Sequence, residues 1–291
     1  MSKLLRGFAG LSLGFLHHLG SALGWLGYAL SPSYRRRMVE NAAQAGLTRA
    51  QWRPAIASAG RMVMELPRLW LRPADASALE LLSFEGDALL TRALDVGRGV
   101  LLLTPHMGCF EITAQGVAAR WGSRRPITVL YRPARQAWLR KLEETARDRP
   151  HLQAVPATLS GVRQMIRALR RGEMVGLLPD QVPPVGMGVW APFFGKPAYT
   201  MTLAARLLQQ TGAIPLLTWG ERLPGGAGYV QRFSEFPGPL PDDPVEAATA
   251  VNRAMEQLIL QCPGQYLWGY HRYKAPREQL ADAPEEKSTP S

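Results

Sequence analysis

Short runs dominated by Val, Leu and Ile recur along the chain: VLLLT at 100–104, ITVLY at 127–131, MVGLL at 174–178 and IPLLTW at 214–219, with YVQRF at 229–233 as a fifth. A strand with one face in water alternates apolar and polar residues, whereas a strand apolar throughout is covered on both faces. Helical patterns separate these runs. Val162, Met165, Ile166 and Leu169 recur at i, i+3, i+4 and i+7 with arginines on the opposite face. Further helices are expected at about 108–121, 135–147, 201–212 and 244–262, and across 36–72 with breaks at Gly46, Pro54 and Pro67. Strands alternating with amphipathic helices predict an α/β domain over 35–274, a central, mostly parallel sheet flanked by helices. The tail 275–291, rich in Pro, Ala, Glu and Ser, is expected to be disordered.

Residues 7–30 contain no Lys, Arg, Asp or Glu, and about 20 such residues suffice to span a bilayer as a helix. Six glycines and the pair His17-His18 argue against a simple span. Pro32 follows the one small-x-small site, Ala29-Leu30-Ser31, which argues against a cleaved leader. The expectation is an N-terminal membrane-anchoring segment, 1–34, either spanning or lying in the interface. Arg35, Arg36 and Arg37 behind it can grip anionic headgroups; the alternative is a buried core helix.

A formal net charge of +11 on 291 residues implies an acidic partner, whether nucleic acid, anionic lipid or an acidic carrier protein. No basic–aromatic recognition motif favours nucleic acid. Two cysteines, Cys109 and Cys262, make neither a disulfide framework nor a metal knuckle and read as free thiols in a reducing compartment.

The chemistry gathers where the apolar runs stop. His106 follows VLLLTP, Arg132 follows ITVLY, and Asp180 then Gln181 follow MVGLLP. Ligands of open α/β sheets bind beyond the carboxyl ends of the strands. His106 and Glu111 lie five residues apart, about 140° around one continuous helix. A strand–turn–helix arrangement frees them to converge, with Gly108 permitting an unusual turn and Glu111 favoured in the first helical turn. An imidazole oriented by a carboxylate is the working half of a serine triad and suffices when the substrate brings the hydroxyl. Cys109 could instead carry an acyl group, or be a small buried hydrophobe. The spacing is wrong for a zinc helix, and no metal is expected.

The segment HMGCFE, with His106-x-x-x-x-Glu111, resembles the HX4E motif of the late acyltransferases of lipid A biosynthesis, the lauroyl- and myristoyltransferases. The resemblance continues in VLYRPAR (129–135), GLLPDQ (176–181), APFFGKPAYT (191–200), GQYLWGYHRYK (264–274) and the greasy N-terminus with RRRMVENAAQ, and so covers nearly the whole chain. It implies a glycerol-phosphate-acyltransferase-like sheet preceded by N-terminal membrane-associated helices. It also implies transfer of a fatty acyl chain from acyl carrier protein to a hydroxyl of a phosphorylated glucosamine lipid, with no cofactor beyond the acyl carrier. His106 becomes the general base, Glu111 its orienting partner, and Arg132 and Asp180 charged residues of binding or catalysis. Gly108, Gln181, Phe193, Phe194 and Gly195 are expected on the substrate side, the last three lining an acyl channel. The implied location is the inner membrane, with the catalytic domain facing the cytoplasm. The chain departs from the family pattern at Cys109-Phe110, where Asn-Trp is common, and in YHRYK, where Arg272 is the matching basic residue. Two rivals stay open at this point: the same transfer to another glycolipid or an amino-lipid, and a non-enzymatic lipid-binding module.

Overall fold

The computed structural model describes residues 10–71, 77–131 and 149–276. Three long helices lead the described chain, α1 (Leu13–Leu30), α2 (Pro32–Gln44) and α3 (Pro54–Trp70), with a single helical turn, Arg49–Trp52, before the last. Ser12 caps α1 by accepting the Phe15 N–H, and Ser31 caps α2, whose first residue is Pro32. α1 crosses α3 at backbone contact, because a side chain on Gly60 would stand 1.9 Å from the Gly20 carbonyl and 2.5 Å from the Gly24 nitrogen.

The body follows as β1 (Leu82–Glu85), α4 (Ala88–Asp95), β2 (Val100–Leu103), α5 (Phe110–Trp121), β3 (Ile127–Tyr131) and β4 (Leu152–Pro156). It continues with α6 (Leu159–Arg170), β5 (Met174–Leu177), β6 (Gly188–Phe193), β7 (Lys196–Met201) and α7 (Leu203–Thr211). β8 (Ile214–Arg222), β9 (Tyr229–Glu235) and α8 (Pro244–Gln261) complete it. Seven strands form one sheet in the order β1-β9-β8-β2-β5-β3-β4, parallel except for the β8–β9 pair.

The apolar runs have the expected cause. Along β2, Leu101 and Leu103 join a core with Met165, Leu169 and Leu258, while Val100 and Leu102 join another with Val117, Trp121 and Leu90. Alternate residues of one strand therefore feed cores on opposite faces, each buried Leu contributing about 2 kcal/mol. β2 sits between β8 and β5, so whatever leaves its carboxyl end emerges near the middle of the sheet.

One expectation changes, and one element had not been anticipated. No described helix is long and apolar enough to cross a membrane. The inner face of α1, with Leu13, Leu16, His17 and Gly20, is buried, so the separate membrane helices implied by the N-terminus are not supported. The Gly/Pro-rich stretch after Asp180 is followed by an antiparallel hairpin, β6–β7, turning through Phe194 and Gly195 at φ +47° and +74°. A two-residue turn with both φ values positive matches the twist of a hairpin. The segment expected as a helix at 135–147, and all but the first two residues of the tail expected to be disordered at 275–291, lie outside the described residues.

Candidate active site

β2 and β5 are parallel neighbours with Leu103 opposite Leu177. Each chain runs three residues past that pair, to His106 and to Asp180, and the two side chains meet there. His106 Nδ1 lies 2.7 Å from Asp180 Oδ1, and the His106 backbone N–H donates to Oδ2 at 3.0 Å. Both carboxylate oxygens thus grip one residue. Asp180 is only 1% exposed. Burial pushes its pKa up, but the His106 and Arg272 charges and the two hydrogen bonds outweigh it and hold the carboxyl below the usual range. An ionised carboxylate only accepts, so Nδ1 carries the proton and Nε2 is left as the basic nitrogen.

Arg272 stands behind this pair. It is buried, donates to the Tyr199 carbonyl (2.7 Å) and Thr200 Oγ1 (2.8 Å), and lies 4.9 Å from the centre of the Phe193 ring.

The turn from β2 into α5 depends on Gly108. Its φ is +58°, and an added Cβ would lie 2.0 Å from the Gly220 carbonyl, so glycine alone fits. Its N–H donates to the Gln265 carbonyl (2.9 Å), and the Cys109 N–H to the Gly220 carbonyl (2.8 Å). These bonds seat the start of α5 beside His106, whose ring meets Phe110 edge-on at 5.0 Å.

Glu111 lies in the first turn of α5, as expected, but its carboxylate does not hold the imidazole. Glu111 Oε2 accepts the Trp70 indole N–H at 3.1 Å, and the brace on His106 is Asp180. Glu111 is the second residue of α5 while His106 precedes the turn, and Trp70 ends a helix packed beside them. Both residues of the motif nevertheless open on one cavity.

That cavity has a volume of about 210 Å³ and runs between α5 and the sheet. His106, Glu111 and Tyr131 lie toward the strand tips, Val129 and Gly176 about halfway down, and Val117 and Ile127 deeper. Tyr131 and Ile127 are four residues apart on β3, a depth of about 13 Å at about 3.3 Å per residue. Most of the wall is hydrocarbon, with Thr104, Thr113 and, on the β8–β9 side, Thr218 and Gln231 as polar exceptions below the mouth.

Other expected residues lie elsewhere. Cys109 is buried outside the cavity lining; burial and the Glu65 charge push its thiol pKa well up, which removes it as a nucleophile. Phe193, Phe194 and Gly195 sit at the end of the β6–β7 hairpin, Phe193 packed under Arg272 and Phe194 against Trp268, and none lines the cavity. Gly108 shapes the turn, and Gln181, half-buried after Asp180, is likewise not part of the cavity wall. Arg132 falls outside the described residues. Among the described residues, no group of three or more His, Cys, Asp or Glu could hold a metal.

Sequence reasoning overlooked a buried polar cluster behind the turn. Glu65 accepts from Arg222 Nε (2.9 Å) and Nη2 (2.5 Å) and from Tyr229 Oη (2.9 Å), and lies 3.2 Å from His17 Nε2. The signal was a single carboxylate within the greasy VMELPRLWL, easily taken for an exposed position.

A sequence profile described as bacterial lipid A biosynthesis acyltransferase matches residues 46–275. Lipid A biosynthesis palmitoleoyltransferase of Escherichia coli K12 is 27% identical over 218 residues, 75% of this chain and 69% of that protein. Lipid A biosynthesis lauroyltransferase of the same organism is 29% identical over 180 residues, 61% of this chain and 56% of that protein. A lipid A biosynthesis acyltransferase of Haemophilus influenzae is 25% identical over 185 residues, 64% and 57% of the two chains.

Proposed function

The chain belongs to the bacterial lipid A biosynthesis acyltransferases, and from that premise we propose that it moves a fatty acyl group from acyl carrier protein to a hydroxyl of a phosphorylated lipid A precursor, with His106 as general base. The observation that carries this reading is the His106–Asp180 pair, joined at 2.7 Å beyond two strand tips, with His106 on the wall of a cavity lined mostly by hydrocarbon.

In the proposed reaction Nε2 of His106 takes the proton of the acceptor hydroxyl while Asp180 steadies the imidazolium through Nδ1. The alcohol oxygen attacks the thioester carbonyl carbon and forms the new C–O bond. The first N–H groups of α5 lack partners within the helix, and that end carries the positive pole of the helix dipole, so it suits the oxyanion. Collapse breaks the C–S bond, and the imidazolium returns its proton to the carrier thiolate. Glu111 shares the cavity with His106. Arg132, next after Tyr131, is proposed to meet an anionic group of a substrate.

The acyl tail is assigned to the cavity. A zigzag hydrocarbon with C–C bonds near 1.5 Å advances about 1.25 Å per carbon, so a depth of about 13 Å takes about ten carbons.

Attachment to the cytoplasmic face of the inner membrane is proposed through the outer side of α1. Phe15, Leu23, Leu26 and Leu30 are 54%, 43%, 52% and 73% exposed and fall within about 80° of the helical wheel. Arg35, Arg36, Arg37 and Arg53 lie near this face in the chain or in space, Arg53 with its guanidinium 4.8 Å from the Trp25 ring centre. An apolar stripe beside basic residues, on a helix whose inner face is occupied by protein, suits a helix lying in the interface.

His106→Ala, supplied with acyl carrier thioester and lipid A precursor, is expected to lose at least about 10³-fold in kcat. Product formation at the parent rate, followed by mass spectrometry, eliminates the proposal.

A further inference from the structure

We propose that Arg222 is a positioning residue for this reaction: locked by Glu65, it holds the Gly108 carbonyl and so sets the turn that carries His106 into α5. The inference rests on the acyl-transfer reading above.

Arg222 closes β8 and is 4% exposed, while Glu65 is 0% exposed. Every guanidinium nitrogen is engaged. Nε donates to Glu65, Nη1 to Ser58 Oγ at 2.9 Å, and Nη2 to both Glu65 and the Gly108 carbonyl at 3.0 Å. The backbone of Arg222 is held as well: its N–H donates to Gln265 Oε1 (2.9 Å) and its carbonyl accepts from Gln265 Nε2 (3.0 Å). The carbonyl of that same Gln265 accepts the Gly108 N–H. Both backbone groups of Gly108 are therefore tied to two residues that are tied to each other.

A buried ion pair is a poor way to add stability, because desolvation offsets most of the attraction and an apolar replacement is often neutral. It is a good way to fix an angle, since a guanidinium forks in one plane. Gly108 is the residue where an angle matters. It lies two residues after His106 and two before Phe110, and its positive φ leaves no side chain to brace it. With the Gly108 carbonyl held, the imidazole on one side of the turn and the first N–H groups of α5 on the other keep a constant relation. Those are the base and the proposed oxyanion donors. His17, from the helix assigned to the membrane, completes the shell around Glu65.

The test replaces both charges together, Glu65→Leu with Arg222→Met, so that no unpaired ion is left buried. Steady-state rates and amide hydrogen exchange are measured on full-length protein. The expected result is a folded protein with unchanged KM for both substrates, kcat lowered by roughly tenfold to a hundredfold, and faster exchange confined to residues 107–111. A folded double variant with parental kcat and parental exchange overturns the proposal. If the pair does not fold, Arg222→Lys decides. It balances Glu65 but cannot fork to Gly108, so kcat about tenfold lower at constant KM supports the role, and parental kcat overturns it. Should the parent itself transfer no acyl group, the functional reading fails separately. The exchange at 107–111 then tests the turn alone, faster exchange supporting the brace and unchanged exchange refuting it.

Discussion

Gly176 tests the assignment of the cavity to the acyl tail. It lies in β5 on the cavity wall, level with Val129, and a Cβ there would stand 3.1 Å from Val129 Cγ1 and 3.7 Å from Ile127 Cδ1, the deeper of the two. Its φ is not positive, so a β-branched side chain suits the strand. Gly176→Val places three carbons about halfway down, above Ile127, and shortens the usable depth by about two methylenes. At about 0.8 kcal/mol per methylene, the longest accepted donor loses about 1.6 kcal/mol relative to one two carbons shorter, or about fifteenfold in relative kcat/KM. The assay is competition between acyl carrier thioesters of graded length, read by the mass of the lipid product. Unchanged preference in a folded variant, or equal loss at every length, shows that the tail lies elsewhere.

Three further outcomes are expected. Glu111→Gln should lower kcat by roughly 10²-fold without altering the fold, since it removes charge but keeps an acceptor for Trp70; a loss as deep as that of His106→Ala in the same rate assay would restore Glu111 as the principal brace. Burial raises the Glu65 pKa, but the Arg222 charge and hydrogen bonds pull it down to about 2. A carboxyl depressed on folding stabilises above its unfolded pKa of about 4.3 and loses that contribution as pH falls toward 2, so the stability gap between parent and Glu65→Gln should shrink by about 3 kcal/mol from pH 7 to pH 2; urea unfolding at several pH values measures it, and a constant gap contradicts it. Leu23→Ser with Leu26→Ser should abolish flotation with anionic vesicles while solution activity on a detergent-dispersed acceptor persists, and undiminished flotation excludes α1 as the contact.

The central strands were legible because burial on both faces leaves a plain mark: VLLL, ITVLY and MVGL can sit only inside such a sheet. β1 and β4 were not, since their half-exposed positions blur the pattern, and β6 and β7 hid behind prolines and glycines that also mark loops. The site shows the same division. His106 and Asp180 were each recognisable as polar residues just past a buried run. Their pairing was not, because 74 residues separate them and only the β2–β5 register brings them together. Spacing within HMGCFE pointed to the nearest acid, Glu111, whereas sheet geometry supplied a farther one. The Glu65–Arg222 cluster left still less trace, being assembled from residues 157 apart.

The most direct test is the rate of acyl transfer by Asp180→Asn. An amide keeps the shape but lets Nδ1 lose its proton acceptor, so the imidazole can adopt the wrong tautomer, and kcat should fall by roughly 10³- to 10⁴-fold with substrate binding intact. Activity within a few fold of the parent would contradict a base held in register by the acid at the tip of β5.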